Sequence, residues 1–462
     1  MDQVTVITPV GCIGNRGVDK EAFARAIEES KPDALAMDAG SMDCGPWYLG
    51  AGKAHSPTLD ILWDLEHVLC QAVPRGIPVI IGSAGGSGAR AHVDTTVEMI
   101  KKVAREHSLH FRLAVIYSDV PQSYLLSRAK NGTVAGTHSL DDGSPLRTEA
   151  VEESNVIVGL MGVEPIIDAL EDGADVVLCG RASDSAVIAA YPVWKGFDKG
   201  LAYHMGDIME CGESAAEELR PTLRALAHNR IPIIGRMEKD SFYLWPAVDS
   251  LACTPNSCLM HSFYERMDVR ESKVPGGVLD KGEAKYVQHD PNTTKISGSR
   301  FVDEPYSILL EGTKPVGHRY VLILGIRTPR MIEQLDEILA DIEAIAEKRF
   351  GEHGKFKIHW HRFGKDAVLQ GSEMARNVAP SEVGVVADVV AETAELAHDV
   401  ALDLQTRIAF WRYPGRYTTA GNVAMTLSPA SLNGGPVFEF SIYHPILTDD
   451  YREIFKRDII EI

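Results

Sequence analysis

The chain has 462 residues, of which 45% are hydrophobic and 24% charged, a composition typical of a globular protein with two or three domains. Its 65 acidic and 46 basic side chains give a net charge of −19, which argues against a nucleic acid partner, because phosphate backbones are bound by Lys and Arg. There is no apolar run of membrane-spanning length and no signal-peptide pattern at the start, so no membrane partner is expected and a cytoplasmic location is predicted.

The first half alternates short apolar runs with amphipathic segments, the pattern of βα units that build a parallel sheet. The helical segments carry apolar residues at helical spacing, as at Leu62, Leu65 and Leu69. We predict a doubly wound, mainly parallel α/β domain over residues 1–245, in which ligands bind beyond the carboxyl ends of the strands. The predicted strands are VTVIT (4–8), DALAMD (33–38), PVIIG (78–82), RLAVIY (112–117) and ADVVLCG (174–180).

The second half has a different order of elements. Strand patterns and two amphipathic helices, which open near Pro329 and Thr393, follow one another as β-α-β-β-α-β. This order predicts an α+β ferredoxin-like (split βαβ) domain over residues 319–462, and residues 246–318 between the halves indicate an irregular bridging segment. The strand patterns are HRYVLILGI (318–326), KFKIHWHRF (355–363), EVGVVADVVA (382–391) and GPVFEFSIYH (435–444).

Two acids follow the second predicted strand, where a structural turn needs only one. Asp38 ends the strand, and Ser41 and Asp43 come shortly after it in the stretch MDAGSMDCGP. Because two other strand ends also carry polar or glycine-rich loops, we predict that this loop faces a ligand. The alternative is that Asp38 caps a turn and Asp43 is solvated.

The stretch IGSAGGSGA, residues 81–89, follows the third predicted strand. Its backbone N–H groups around Gly85 and Gly86 precede a helix, which is a common arrangement for binding an anion. The spacing is not that of the G-x-G-x-x-G dinucleotide fingerprint, and the alternative is a tight turn without a ligand.

The stretch LCGRASDSA, residues 178–186, places Arg181, Ser183 and Asp184 at the start of a helix. A guanidinium group in that position suits a carboxylate or phosphate, because it is planar, permanently charged and able to form two parallel hydrogen bonds. The alternative is an Arg181–Asp184 pair that only organises the loop.

Two later stretches combine histidine with carboxylates. In YHMGDIMECGE, a helix would place His204, Asp207 and Glu210 at successive i, i+3 positions, which suits a divalent metal or a general base; the alternative is a solvated helix face. In LMHSFYE, His261 and Glu265 lie four residues apart and could form a base and its orienting partner; the alternative is a buried histidine with satisfied hydrogen bonds.

The stretch YPGRYTTAGN, residues 413–422, is rich in Gly, Thr and Asn and contains Arg416 and Asn422. This composition indicates a loop that brings its backbone close to a polar ligand, and the alternative is an ordinary surface loop. The seven cysteines are scattered, with neither a C-x-x-C pair nor a grouping of Cys with His at zinc-like spacing, so reduced thiols are expected.

Several of these stretches, taken in order, resemble the acyclic terpene utilisation (AtuA-like) family over about residues 150–430. This chain resembles a branch that diverges in its N-terminal third, where it has DAGSMDCGPWYLG. The resemblance implies catabolism of branched carboxylic acids or their CoA thioesters. The motifs that carry it are GADVVLCGRASDSAV, HMGDIMECGE, HSFYE with GGVLD and SGSRF, GIRTPRMIEQLDEIL and RYPGRYTTAGN.

Many members of that family have a further small ferredoxin-fold domain, for which this chain leaves no room after DDYREIFKRDIIEI. The resemblance therefore implies a separate small partner subunit, which we favour, or that this domain is dispensable. We also expect a homo-oligomer and a small anionic metabolite or an acyl-CoA as ligand.

The residues together predict a lyase or isomerase that hydrates, dehydrates or cleaves a carbon–carbon bond next to a carboxylate or thioester. In this hypothesis Arg181 and Arg416 hold substrate carboxylates, while Asp43 with Glu210 or His261 moves the proton. Asp38 orients the loop or binds a metal.

The cofactor is left open by the sequence. A divalent metal is one candidate, with Asp38, His204 and Glu210 as candidate ligands, and no nucleotide cofactor is expected because the chain has no P-loop and no dinucleotide fingerprint. Two alternatives remain at this stage: a non-catalytic subunit that binds or presents a carboxylic acid ligand, and a metal-dependent hydrolase.

Overall fold

A computed structural model describes residues 2–140, 142–219, 229–264, 268–372, 380–419 and 422–462. Over these residues the strands are β1 (Gln3–Thr8), β2 (Ala34–Met37), β3 (Val79–Ile81), β4 (Arg112–Ile116), β5 (Ala129–Lys130), β6 (Thr133–Val134), β7 (Val156–Gly159), β8 (Val176–Cys179), β9 (Glu217–Glu218), β10 (Ile233–Glu238), β11 (Phe242–Pro246), β12 (Leu251–Ala252), β13 (Glu271–Val274), β14 (Gly277–Asp280), β15 (Lys285–Asp290), β16 (Thr293–Ser297), β17 (Arg300–Asp303), β18 (Ser307–Ile326), β19 (Phe356–Phe363), β20 (Val383–Ala391), β21 (Ser431–Leu447) and β22 (Arg457–Glu461). The α-helices are α1 (Lys20–Ser30), α2 (Pro46–Ala51), α3 (Thr58–Ala72), α4 (Arg90–His107), α5 (Gln122–Ser127), α6 (Thr148–Glu153), α7 (Val163–Glu171), α8 (Asp184–Trp194), α9 (Lys199–Met209), α10 (Pro255–Ser262), α11 (Pro329–Glu333), α12 (Leu335–Phe350) and α13 (Ala394–Phe410).

The chain forms two compact units. The first contains Met1–Lys314 together with Phe440–Ile462, and the second contains Pro315–Glu439. Among the helices of the described residues, none combines the length and apolar character needed to cross a lipid bilayer.

The first unit is built on a ten-stranded sheet with the strand order β15-β16-β11-β10-β1-β2-β3-β8-β4-β22. Its five consecutive strands from β1 to β4 run parallel, as in the registers Val6↔Ala34, Leu35↔Val79 and Ile81↔Leu178. The flanking strands are antiparallel. The predicted mixed α/β fold with a large, mainly parallel sheet in the N-terminal part is confirmed, and further antiparallel sheets accompany it.

Helices cover both faces of the parallel strands, which explains why these strands read as nearly continuous apolar runs. Neighbouring residues of a strand point to opposite faces, so Leu35 packs against α1, α3 and α4, whereas Ala36 packs against α7, α8 and α9. Every residue of β2 and of β8 is buried.

The position of β8 creates a switch point in this sheet. β8 follows β4 in the chain but lies between β3 and β4. The helix that follows β3, which is α4, lies on one face, and the helix that follows β8, which is α8, lies on the other. The loops after these adjacent strands therefore separate, and a ligand crevice is expected at their carboxyl ends.

Residues 246–318, where the sequence indicates an irregular bridge, contain regular elements. β15 and β16 extend the large sheet, β13, β14 and β17 form a three-stranded antiparallel sheet, and α10 precedes them. Five of the six residues of β15 are exposed, so the apolar alternation that would mark a strand in the sequence is absent.

The second unit contains its own core. It includes residues 315–326 of β18 and 431–439 of β21, while the part of β18 at Leu310–Thr313, in the first unit, pairs with β7. Its strands and main helices follow one another as β18, α12, β19, β20, α13 and β21, and the strand order in the sheet is β19-β20-β18-β21. β18 and β19 both run antiparallel to β20. The two helices pack on one face of the sheet, where Ile342 and Val400 join Leu322 and Val385 in a buried cluster.

Candidate active site

Loops that follow neighbouring strands of the large sheet meet at the switch point. The Arg181 backbone N–H, after β8, donates a hydrogen bond to Ser118 Oγ, after β4, at 2.7 Å. The Arg181 guanidinium donates to Ser83 Oγ, after β3, at 3.3 Å. The Ile13 N–H, after β1, donates to the carbonyl oxygen of Asp38, after β2, at 2.9 Å. Five strand ends thus contribute to one region, which we call the strand-end site.

The Asp38 carboxyl lies deep in the strand-end site and is only 5% exposed. Its Oδ2 accepts a hydrogen bond from the Gly40 N–H at 2.9 Å, whereas its Oδ1 is buried without a hydrogen-bond partner. The nearby Ser83 hydroxyl donates to the Ala182 carbonyl oxygen instead. Burial and the neighbouring Asp184 raise the pKa of Asp38 well above its usual range, although Arg181 opposes the shift. This shift favours the neutral form of the carboxyl.

Arg181 is 7% exposed and already has a carboxylate partner. Its Nε donates to Glu311 Oε2 at 2.8 Å and its Nη2 to Glu311 Oε1 at 3.4 Å, so one edge of the guanidinium is bound by β18. Its Nη1 lies 3.6 Å from Asp184 Oδ1. These contacts hold the positive charge of Arg181 between the carboxyl groups of Glu311 and Asp184. The binding of a substrate carboxylate by Arg181 stays a prediction. Glu311 was not apparent from the sequence, where its only signal is an acid within the apolar run SILLEGT.

Ser183 and Asp184 lie at the beginning of α8. The Ser183 N–H donates to the Met161 carbonyl oxygen at 2.9 Å, and its Oγ lies 3.3 Å from Ser185 Oγ. The Asp184 side chain is 31% exposed, in contrast to Asp38. It lies at the N-terminus of α8 and beside the Arg181 guanidinium. Of the two acids of the strand-end site, Asp38 is thus buried and Asp184 is partly exposed to solvent.

The glycine-rich loop after β3 packs against the other loops of the site. Gly88 has a φ of +68°, and a Cβ there would overlap the Arg181 backbone nitrogen. A Cβ on Gly40 would lie 2.9 Å from Gly86 Cα and 3.0 Å from His55 Cε1. The loops after β2, β3 and β8 are therefore in close contact, and His55, which was not singled out in the sequence, lies against two of them.

The predicted anion-binding residues Gly85 and Gly86 both have positive φ, at +64° and +100°. They lie in the loop that leads into α4, and their role in substrate binding stays a prediction. Ser41 and Asp43 lie in the loop after β2, where Ser41 Oγ accepts a hydrogen bond from the Asp43 N–H at 3.2 Å. Asp43 is exposed, unlike Asp38 of the same loop, and its catalytic role also stays a prediction.

A second group of side chains forms where α9 and α10 end. Glu210, Cys211 and His261 each bring one potential ligand atom within 4.8 Å of the others. The sequence shows no Cys–His grouping at zinc-like spacing, but the fold brings Cys211 and His261 together from positions 50 residues apart. Glu265, the predicted partner of His261, lies outside the described residues. The catalytic roles of Glu210 and His261 stay predictions.

Cys12, in the loop after β1, connects the two groups. Burial raises the pKa of its thiol, and Asp38, Asp184 and Cys211 raise it further through their charges. The backbone of Gly11 lies directly against the backbone of Cys211, with no room for a Cβ at Gly11. The group of Glu210, Cys211 and His261 is therefore adjacent to the strand-end site.

The structure separates His204 and Asp207 from Glu210. Asp207 forms a fully buried ion pair with Lys281 at 2.7 Å. His204 Nε2 lies 2.9 Å from the Tyr286 hydroxyl, and burial lowers the pKa of His204 to about 3. Helical drift over two i, i+3 steps thus turns two of the three side chains into the interior, and His204 remains only a predicted metal ligand.

Arg416 and Asn422 belong to the second unit. Arg416 donates from Nε to the Thr418 carbonyl oxygen at 2.8 Å and from Nη1 to the Trp411 carbonyl oxygen. Asn422 Oδ1 accepts a hydrogen bond from the Tyr413 hydroxyl at 2.8 Å. Both side chains thus organise their own loop, and their contact with a substrate stays a prediction.

Comparison with known proteins gives one match. The family model described as acyclic terpene utilisation family protein AtuA matches residues 8–430. The matched range includes the strand-end site as well as Glu210, Cys211 and His261, and it confirms the resemblance seen in the sequence. No curated protein and no solved structure matches the chain.

Proposed function

The chain belongs to the acyclic terpene utilisation family AtuA, and from this premise we propose that it is a catabolic lyase or isomerase. Its proposed substrate is a small branched carboxylic acid or the CoA thioester of one. The proposed reaction is hydration, dehydration or carbon–carbon cleavage next to the carboxyl or thioester carbonyl. The observation that carries this assignment is the buried Asp38 carboxyl, whose Oδ1 lacks a hydrogen-bond partner and whose pKa is raised, beside the more exposed Asp184.

These reactions share an enolate-like transition state, in which negative charge develops on the carbonyl oxygen. A neutral carboxyl group in a buried site stabilises such an oxygen by donating a hydrogen bond to it. Because Asp38 Oδ2 already accepts from Gly40, the proton of Asp38 is assigned to Oδ1, which is the atom without a partner. We assign Asp38 as the hydrogen-bond donor to the substrate oxygen.

Each of these reactions needs a group that moves a proton. In dehydration it removes the proton from the carbon next to the carbonyl, hydration runs the same transfer in reverse, and in carbon–carbon cleavage it takes the proton of the β-hydroxyl group and returns it to the carbon next to the carbonyl. Asp184 suits this role, because it is partly solvated and lies 3.6 Å from the Arg181 guanidinium. In dehydration the proton passes from the substrate carbon to Asp184, and it returns to the product or to water in the second half of the reaction. Arg181, held by Glu311, offsets the negative charge that the site gains when the substrate binds.

Substitution of the two acids tests this assignment. The protein, alone and with a candidate small partner subunit, is incubated with branched di- and tricarboxylic acids and their CoA thioesters. We expect Asp38→Ala and Asp184→Asn each to lower turnover about 100-fold or more while ligand binding is retained. Asp249→Asn, in an exposed turn, serves as the matched control.

The variant Asp38→Asn separates the proposed role from simple loss of an acid. Its neutral amide also donates a hydrogen bond, so we expect it to retain more turnover than Asp38→Ala. Full turnover in Asp38→Ala and Asp184→Asn would overturn the assignment and would favour a non-catalytic subunit that only binds and presents the acid.

We further propose that the second unit is a ferredoxin-like domain. Its β-α-β-β-α-β succession and its strand order β19-β20-β18-β21 support this proposal. The small anionic ligand or acyl-CoA, the separate small subunit, the homo-oligomeric state and the cytoplasmic location are also proposals at this point.

A further inference from the structure

Glu210, Cys211 and His261 lie at the ends of two helices. α9 ends at Met209, so Glu210 and Cys211 come directly after its last turn, and His261 is in the last turn of α10. One potential ligand atom of each side chain lies within 4.8 Å of the other two. The three side chains offer a carboxylate oxygen, a sulfur and an imidazole nitrogen, which are the three ligand types of zinc sites.

The electrostatic surroundings favour a cation. The backbone carbonyl groups at a helix C-terminus carry partial negative charge, and the C-terminal ends of α9 and α10 both lie at this group. Asp184 lies nearby, since its charge acts on Cys12 together with that of Cys211. The neighbouring cation Arg230 is paired with Glu213 at 3.2 Å.

The ligand side chains are held by a buried framework. The Lys281 ammonium donates hydrogen bonds of 2.7 Å to Asp207 of α9 and to the backbone carbonyl of Ser262, the last residue of α10. Both charged groups are fully buried, so this clamp fixes the two helix ends relative to each other. The Cys211 backbone packs against Gly11, where only glycine fits.

From this geometry we propose that Glu210, Cys211 and His261 bind one Zn²⁺ ion. Zinc lies about 2.0–2.3 Å from sulfur, nitrogen and oxygen ligands, so three donors around one ion are roughly 3–4 Å apart, within the observed grouping. A mixed sulfur, nitrogen and oxygen set suits Zn²⁺ better than Mg²⁺ or Ca²⁺, which prefer oxygen ligands. Three protein ligands leave a fourth position for water or a ligand oxygen, as in catalytic rather than structural zinc sites. This site does not depend on the proposed reaction.

Metal titration of the full-length protein tests the site. The protein is treated with chelator under reducing conditions without a competing thiol, and then titrated with Co²⁺ as a spectroscopic probe and with Zn²⁺ in competition. We expect one ion per chain, and a thiolate-to-cobalt charge-transfer band that Zn²⁺ removes. Cys211→Ser is expected to lose the band, and Glu210→Gln and His261→Gln to bind Zn²⁺ at least about tenfold more weakly.

Cys44→Ser is the matched control, because Cys44 is an exposed thiol outside the group, and we expect it to bind the metals as the wild type does. Circular dichroism of each variant shows whether it is folded, and the two variants that keep Cys211 serve if Cys211→Ser does not fold. The absence of a charge-transfer band in the wild type would overturn the zinc site. Unchanged affinity in folded Glu210→Gln and His261→Gln would overturn it as well.

Discussion

At the scale of single residues, the protonation of Asp38 makes folding stability depend on pH. Burial raises the pKa of Asp38 above its usual 3.8, so between that value and the raised one the folded protein holds a proton that the unfolded chain has lost. This contribution to stability is complete below pH 3.8 and is lost as the pH rises. A variant with a neutral side chain at position 38 does not lose folding stability in this way as the pH rises.

We therefore expect Asp38→Asn to be more stable, relative to the wild type, at pH 8 than at pH 5. Urea unfolding of both proteins at the two pH values measures the difference between their free energies of unfolding. The titration of all other groups is common to the two proteins and cancels in this difference. The same relative stability at both pH values would show that Asp38 is already ionised in the folded protein.

The pKa of His204 is shifted in the opposite direction to that of Asp38. Burial lowers its pKa from 6.5 to about 3, so the folded protein keeps the imidazole neutral where the unfolded chain takes up a proton. Its contribution is complete above pH 6.5 and is lost as the pH falls towards 3, by on the order of a few kcal/mol. We expect His204→Gln to lose less stability than the wild type between pH 7 and pH 4, as followed by urea unfolding. Parallel pH profiles would contradict a buried neutral His204.

At the scale of elements, the contacts between strand-end loops depend on glycine. Gly88 has a φ of +68°, and a Cβ there would overlap the Arg181 backbone. Gly76 has a similar φ of +64°, but nothing lies within 4 Å of the Cβ position. A substitution at either position would therefore strain the backbone, but only a substitution at Gly88 would also clash with the Arg181 backbone.

We expect Gly76→Ala to cost about 1–2 kcal/mol, the strain of a left-handed backbone alone. Gly88→Ala is expected to cost between about 2 and 5 kcal/mol and to abolish turnover, because overpacking adds to the strain and separates the loops after β3 and β8. Chemical unfolding and the turnover assay measure both effects. Equal costs at the two positions would contradict the close packing of the strand-end loops.

The parallel strands were predictable because they are buried on both faces and therefore appear as continuous apolar runs. Since their carboxyl ends share one edge of the sheet, the sequence also predicted that Asp38, Arg181 and Asp184 follow the ends of strands, as the structure shows. The strands between β13 and β17 were not predictable, because exposed faces such as that of β15 lack an apolar pattern.

The partners of the site residues were less predictable than the residues themselves. Glu311 reaches Arg181 from 130 positions away, and Cys211 meets His261 from 50 positions away. Neither pairing leaves a local spacing pattern, because it results from the packing of distant elements. The sequence therefore suggested Asp184 as a partner of Arg181 but not Glu311.

At the scale of the whole molecule, the second unit has a core of its own. Its buried cluster runs from Leu322 to Ala430 and lies entirely within Pro315–Glu439. We expect residues 315–439 expressed alone to fold, with a cooperative thermal transition in circular dichroism. A shorter fragment, 315–426, lacks β21, which lies beside β18, and is expected not to fold cooperatively. No cooperative transition in the longer fragment would contradict an independent unit.

We propose that, of the two acids in the first unit, Asp38 donates a hydrogen bond and Asp184 takes a proton, and this division of roles is the central claim. Hydrogen exchange at the substrate carbon tests it most directly. A branched acid or CoA thioester that binds the protein is kept in D₂O, and deuterium incorporation next to its carbonyl is followed by nuclear magnetic resonance. We expect the wild type to incorporate deuterium, and Asp38→Ala and Asp184→Asn to do so at least about 100-fold more slowly while still binding the ligand. Exchange at the wild-type rate in either variant, or no exchange with ligand bound to the wild type, would contradict the assignment.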